Sequence, residues 1–409
     1  MNIHNKKYNE QCPWIIIFSM VFVVFCTDVK ISVVKISEMC LLAYYFISRL
    51  SFNKQIKQFL IFFISFSLIT LFHNMFLTFE LSTVNNLLQR PYICTLGRFL
   101  EILSCLVFAQ LVLNVACKYG IYNVFNRFFK CSCWLSILII FLYGLYILGF
   151  KIPFINIVDK ETLRLTGFYV EGGPFGLMCS SLTLLGIHLK RPKKEIAIFI
   201  ILVLLAQSKA GLACILGYFC FQVIVKFYKK KIFRICLVLV VPLVCFIFTN
   251  LFLKIADQYI NQMIDTDYLA AWVNANPEDY SSTAGRIPAT FIIYNMFLSN
   301  PLFGIGIGNY PILRNLPEYR SFFPIIDIYD ASGYGGFIDI LNQCGIIGLV
   351  VFLFLLYKLK KQNKDSTYIL LFCLPLLFGV QYTFAYPWLM LSLILLTKNE
   401  SCNRLSNVE

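Results

Sequence analysis

A chain that repeats runs such as PWIIIFSMVFVVFC, each closed by a short basic segment, has few folds open to it. Runs of this kind suit lipid, where each backbone N–H and C=O must be satisfied inside the protein, so the spanning segments are helices. Composition agrees, with 59% hydrophobic and only 14% charged residues, against roughly 25% charged in an ordinary soluble domain. The expected fold is an all-α polytopic membrane protein of about 12 transmembrane helices with one long external loop. The expected spans are 13–27, 36–48, 59–79, 92–115, 132–150, 172–189, 192–206, 210–225, 235–253, 337–357, 367–380 and 386–397. The first run lacks a small-residue cleavage site, so it reads as a span and not as a removed signal.

Charge orients these spans. With the amino terminus inside, the internal loops 49–58, 116–131, 190–195, 226–234 and 358–366 hold 19 Lys and Arg in about 50 residues; the external ones hold 11 in about 134. Basic residues are retained on the cytoplasmic side, so both termini are expected there. The net charge of +14 follows from orientation and calls for no nucleic acid. The division is then a membrane part with about nine spans (1–253), a long external segment with amphipathic helices (254–336), and a last part (337–409) with three spans and a cytoplasmic tail. The external segment is acidic, with eight Asp and Glu against four Lys and Arg. Most of the 16 Cys fall inside apolar runs, where a thiol packs as a small hydrophobe; no disulfide is expected.

The polar exceptions gather towards one face. RLTGFYVEGGPFG (164–176) places Arg164 and Glu171 just before a helix start with exposed N–H groups. The bland reading is a Glu on a helix dipole and an Arg at lipid headgroups; the sharper one is a polar site at the membrane surface. Ser282 or Thr283 caps an expected helix running to about Ser299, with Arg286 in its first turn. A cation beside free N–H groups suits an anion. Asp339, Asn342 and Gln343 form one stripe at the start of a span, Arg98 and Glu101 stand at i and i+3 in the fourth run, and Lys209 sits at a tight turn in AQSKAGLA. Ions within spans are functional candidates, although pairing within the bundle explains them equally well. FGIGIGNY (303–310) lacks the strand and helix of a phosphate loop and reads as a flexible turn. DTD (265–267) is too short to argue for a metal, and none is expected. His4 and His188 fall inside and His73 in a span, so an external general base would be a carboxylate or Tyr.

Taken in order, Arg164-x-x-Gly-x-x-x-Glu171-Gly-Gly, SKAG at 208–211, Arg286 with NPLFGIGIGN at 300–309, and GGFIDILNQCGIIG at 335–348 resemble the landmarks of Wzy-type O-antigen and capsular polysaccharide polymerases, which belong with the O-antigen ligases. The resemblance covers roughly residues 160–360. It implies a GT-C-like, metal-independent and cofactor-free glycosyltransferase of the bacterial inner membrane. Its substrates would be polyprenyl-diphosphate-linked oligosaccharides, and a chain-length regulator protein a possible partner. Arg164, Arg286, Lys209 and Arg98 would bind the diphosphate; Glu171 or Asp339 would act on the sugar hydroxyl. The chain departs from the pattern in having Lys209 where Arg is frequent, and Tyr334-Gly335 where many members, ligases especially, have His-Asn. A ligase, or a flippase of lipid-linked glycan, is the alternative. A flippase would line its spans with charge through their full depth.

Overall fold

The computed structural model describes residues 12–31, 34–76, 90–150, 157–159, 162–227, 266–276, 285–326, 333–362 and 367–405. The protein is an all-helical polytopic membrane protein. Its helices are α1 (Trp14–Phe25), α2 (Ile36–Ser48), α3 (Lys54–Phe76), α4 (Pro91–Tyr119), α5 (Ile121–Ile147), α6 (Gly172–His188), α7 (Lys193–Leu205) and α8 (Lys209–Phe227). There follow α9 (Thr266–Ala275), α10 (Arg286–Ser299), the single turns α11 (Tyr310–Leu313) and α12 (Pro317–Arg320), and then α13 (Gly336–Gln362), α14 (Thr367–Leu377) and α15 (Ala385–Leu405). A two-residue antiparallel pairing, β1 (Lys30–Ile31) with β2 (Val34–Lys35), joins α1 to α2. Helices occupy eleven of the twelve expected runs, and five of them, α3, α4, α5, α8 and α13, are long and apolar enough to cross a bilayer. The run at 235–253, the charges of 228–234 and residues 254–265 of the long external segment lie outside the described residues.

One expected loop is absent. Residues 116–131 are nearly all helical, broken only at Gly120 (φ 85°), so α4 and α5 meet in a corner. The physical reason is the pattern Val124, Phe125, Phe128 and Phe129, all buried; this is one face of a helix, and Arg127 and Lys130 fall off that face.

The centre of the bundle is α15 packed on α4. Trp388, Tyr386 and Leu389 are fully enclosed. Trp388 meets Phe59 and Phe63 of α3 edge-on, with ring centroids 5.7 and 6.1 Å away. Around this core α3 and α2 flank α4, α6 contacts α7 and α8, and α1 lies along α5. The segment before α13 makes a smaller core of its own, in which Leu269 and Val273 of α9 join Ile292, Ile293 and Met296 of α10 and Leu313, Tyr319 and Phe323.

The stretch 303–310 is not a flexible turn. Residues 305–310 are buried and wedged between α3, α4 and α13. Gly304, Gly306 and Gly308 all have positive φ (72°, 95° and 82°). A Cβ there would come within 2.5 Å of the Asn342 carbonyl oxygen, 2.5 Å of Thr70 Cγ2 and 2.6 Å of the Cys94 carbonyl oxygen, respectively. Only glycine suits both demands. The wedge fills a break in α13 at Gly345 (φ 68°). The Asn342 and Gln343 carbonyls accept from Ile305 N and Gly306 N (2.9 Å each), while Ile346 N and Ile347 N donate to the Pro301 and Leu302 carbonyls (2.9 and 3.2 Å). Irregular backbone at this depth is tolerated because protein surrounds it.

Candidate functional site

The polar exceptions meet at one end of the bundle, formed by the starts of α4, α6, α8 and α13, the α1–α2 connection, the wedge and the turn before α15. Asp339 stands in the first turn of α13 with 4% of its surface exposed, next to buried Asn342 and Gln343. The stripe therefore faces protein rather than lipid. The wedge orients it: Gln343 Oε1 accepts from Gly308 N at 3.2 Å and from the Tyr382 hydroxyl at 2.6 Å. Asn309 and Asn74 exchange amide hydrogen bonds (2.8 and 3.4 Å), pinning the wedge to α3.

Between these elements lies a narrow cavity lined by Arg98, Asp339, Gln343, Tyr310, Tyr382 and Thr383, among others. It holds only about 10 Å³, about one water-sized sphere. Arg98 pairs with Glu101, as their spacing suggests. The pair belongs to a larger cluster that the sequence conceals. Lys35, 4% exposed, places its ammonium 3.4 Å from Glu38, 3.7 Å from Glu101 and 3.8 Å from Asp28, and 5.6 Å from the centre of the Phe384 ring. Three carboxylates thus share two cations well out of water, with Asp339 beyond Arg98.

Asp28 links this cluster to the stretch 164–176. Its Oδ2 accepts from Val170 N at 3.4 Å, one residue before Glu171. Glu171 is the N-cap residue of α6 but makes no side-chain cap, and it is exposed. Arg164 donates from Nε to the Ala206 carbonyl at 3.2 Å, and the same nitrogen lies 3.5 Å from where a Gly172 Cβ would stand. Ser208 ties α6 to α8, donating to the Gly173 carbonyl and accepting from Gly211 N, both at 3.1 Å. Lys209 is exposed one residue on. The six residues singled out from the sequence thus divide. Arg98 and Asp339 share the cavity; Arg164, Glu171 and Lys209 surround the starts of α6 and α8. Arg286 opens α10 with Gly285 as N-cap, while its side chain, Ser282, Thr283 and Asp265 lie outside the described residues.

Sequence reasoning missed Lys35, Asp28, Glu38, Tyr382 and Arg314. Arg314 is 1% exposed, with its guanidinium carbon 5.8 Å from the centre of the Tyr310 ring that lines the cavity. A charge buried to this degree in an acidic segment is a signal in hindsight, since Arg is almost never enclosed without partners.

A family model described as O-antigen ligase matches residues 196–353, from α7 through the break in α13. The chain is similar to that family across this region, which contains Lys209, Arg286, the wedge and Asp339. No curated protein matches the chain.

Proposed function

We propose that the protein is a membrane glycosyltransferase that polymerises polyprenyl-diphosphate-linked oligosaccharide repeat units at the outer face of the bacterial inner membrane, into O-antigen or capsule chains. The observation that carries this reading is the cavity where Arg98 and Asp339 meet, closed by the wedge and the broken α13; the wedge and Asp339 fall within the residues similar to the O-antigen ligase family.

In the reaction, a hydroxyl of one lipid-linked unit attacks the anomeric carbon of a chain on a second lipid. The new C–O bond forms as the bond from that carbon to the diphosphate oxygen breaks. The hydroxyl proton passes to a carboxylate, and polyprenyl diphosphate leaves with the electron pair. A fixed guanidinium stabilises the charge developing on that leaving group and stays ionised throughout. Arg98 is suited to this role by the cluster that anchors it, and Arg164 and Arg286 would serve the same lipid-linked anion. Asp339 is the better placed carboxylate for the proton, since it lines the cavity with Arg98; exposed Glu171 suits binding of sugar hydroxyls. A space of this size takes about one water-sized group, so the sugars and the diphosphate would approach it from outside.

The ligase reading, with lipid A core as acceptor, has the description of the matching family in its favour. Against it stands Gly335, whose φ is 86° and where a Cβ would lie 2.1 Å from the Gly379 carbonyl oxygen. An Asn at this position, as in the His-Asn pair of many ligases, does not fit here. Acceptor choice tests the matter. Membranes carrying the protein should extend lipid-linked repeat units into a ladder, and Arg98→Ala or Asp339→Asn should leave single units. Transfer of finished glycan to lipid A core with no ladder would make the protein a ligase. A normal ladder from either variant at normal protein level would remove that residue from the reaction.

A further inference from the structure

A second cavity, about 450 Å³, runs lengthwise between α1 and α5. This size falls in the range of about 300–1,000 Å³ typical of ligand sites. Its floor is Val21, Cys26 and Cys131, all buried; its rims are Phe18 and Phe22 on one side and Trp134 and Leu138 on the other. The rims are partly exposed, Trp134 to 74%, so the slot opens sideways, where lipid would lie. Among the described residues, no charged group lines it. Such a space stays dry and takes hydrocarbon.

The two ends of the slot differ. Beyond Phe18 and Cys131, Arg127 crosses from α5 to α1, donating to the Cys12 carbonyl at 2.7 Å and lying 5.0 Å from the centre of the Trp14 ring. At the other end stands Phe168. The next residue, Tyr169, donates to the Val24 carbonyl at 2.6 Å, Val170 N meets Asp28, and Glu171 follows. A chain in the slot is therefore blocked at the Arg127 end and has its head end beside the polar stretch 164–176. A single slot takes one chain, which suits a one-chain lipid better than a two-chain phospholipid. Aromatic rings on both rims pack well against a branched, unsaturated tail.

We infer that the slot between α1 and α5 binds the isoprenoid chain of the lipid-linked substrate, holding its diphosphate and sugar at the stretch containing Arg164 and Glu171. The inference rests on the lipid-linked glycosyltransferase reading, and its test does not require glycan transfer. The full chain is placed in nanodiscs of phosphatidylethanolamine and phosphatidylglycerol and irradiated with a polyprenyl monophosphate bearing a diazirine on its tail. Labelled peptides should map to residues 14–26 and 131–141. Cys26→Trp and Leu138→Trp, which plug the slot, should each lower that labelling about tenfold, equivalent to about 1.4 kcal/mol of binding. Leu68→Trp, on the exposed face of α3, should not. Leu138 lies on the rim with room for an indole, so that variant serves if Cys26→Trp misfolds. Excess unlabelled polyprenyl phosphate should compete, and added phospholipid should not. Labelling spread over all lipid-facing helices, unaffected by either plug, or displaced by phospholipid alone, would overturn the inference. Groove labelling in a protein that makes no polysaccharide would overturn the reaction and leave the isoprenoid site standing.

Discussion

Replacing Lys35 by methionine should cost the protein a large part of its stability. The ammonium stands 3.4–3.8 Å from three carboxylates and is 4% exposed. At an effective dielectric constant of about 20, each contact at this distance is worth about 4–5 kcal/mol before desolvation. Taking the ammonium out of water offsets several kcal/mol of that sum. Methionine fills much of the same volume but returns none of the attraction, while Asp28, Glu38 and Glu101 remain enclosed, with Arg98 still paired to Glu101. Removing one partner from a buried ion pair typically costs about 3–5 kcal/mol, and we expect a loss of this size. The assay is denaturant unfolding of the detergent-purified protein, followed by tryptophan fluorescence. The double variant Lys35→Met/Glu38→Gln removes one charge of each sign, and should recover about 0.5–3 kcal/mol, the usual coupling between direct neighbours. A cost below about 1 kcal/mol for Lys35→Met would refute the reasoning, because it would mean that water or protons already neutralise the carboxylates. A double-variant cost equal to the sum of the Lys35→Met and Glu38→Gln costs would mean that Lys35 and Glu38 do not interact.

Arg164→Ala should abolish long chains while single lipid-linked units persist, and Arg164→Lys should restore only part, since Lys lacks the bidentate fork; a normal ladder from the alanine variant would make Arg164 an interfacial residue. Asp339→Asn should slow chain extension by roughly 10²-fold or more, the scale for losing a general base, with Glu171→Gln less severe; the reverse order in a ladder assay would exchange their roles. Gly306→Ala should lower the detergent melting temperature, because an L-residue at φ 95° costs about 1–2 kcal/mol before its methyl meets Thr70, and an unchanged melt would argue against a rigid wedge. Reporter fusions at Lys230 and Glu278 should report opposite sides of the membrane, and the same side for both would overturn the topology that puts 254–336 outside.

The helices were legible because lipid makes few demands on side chains: a run of sufficient length and apolarity is enough. Where a second demand entered, legibility fell. Residues 121–131 combine a buried Phe face with Arg127 and Lys130, and counting charge alone made them a loop. Arg98 and Glu101 were readable as a pair since i and i+3 lie together on any helix. Lys35 was not, because its partners come from the α1–α2 connection, α2 and α4, and only packing brings them together. FGIGIG was misread for a different reason. Two of its partners are backbone carbonyls of α13, which any sequence possesses, and two others, the Thr70 and Gln343 side chains, are distant in sequence, so nothing in the run itself announces that it is fixed rather than loose.

The break in α13 also constrains the order in which the protein can be assembled. At Gly345 the helix leaves the Asn342 and Gln343 carbonyls and the Ile346 and Ile347 amides to be met by residues 301–306. Facing lipid alone, each such group would cost several kcal/mol. A ribosome makes the wedge before it makes α13, so the partners exist when the broken helix leaves the insertion machinery. A circular permutation that moved 300–310 behind α13 would deliver the broken helix to the bilayer first, with nothing to close it.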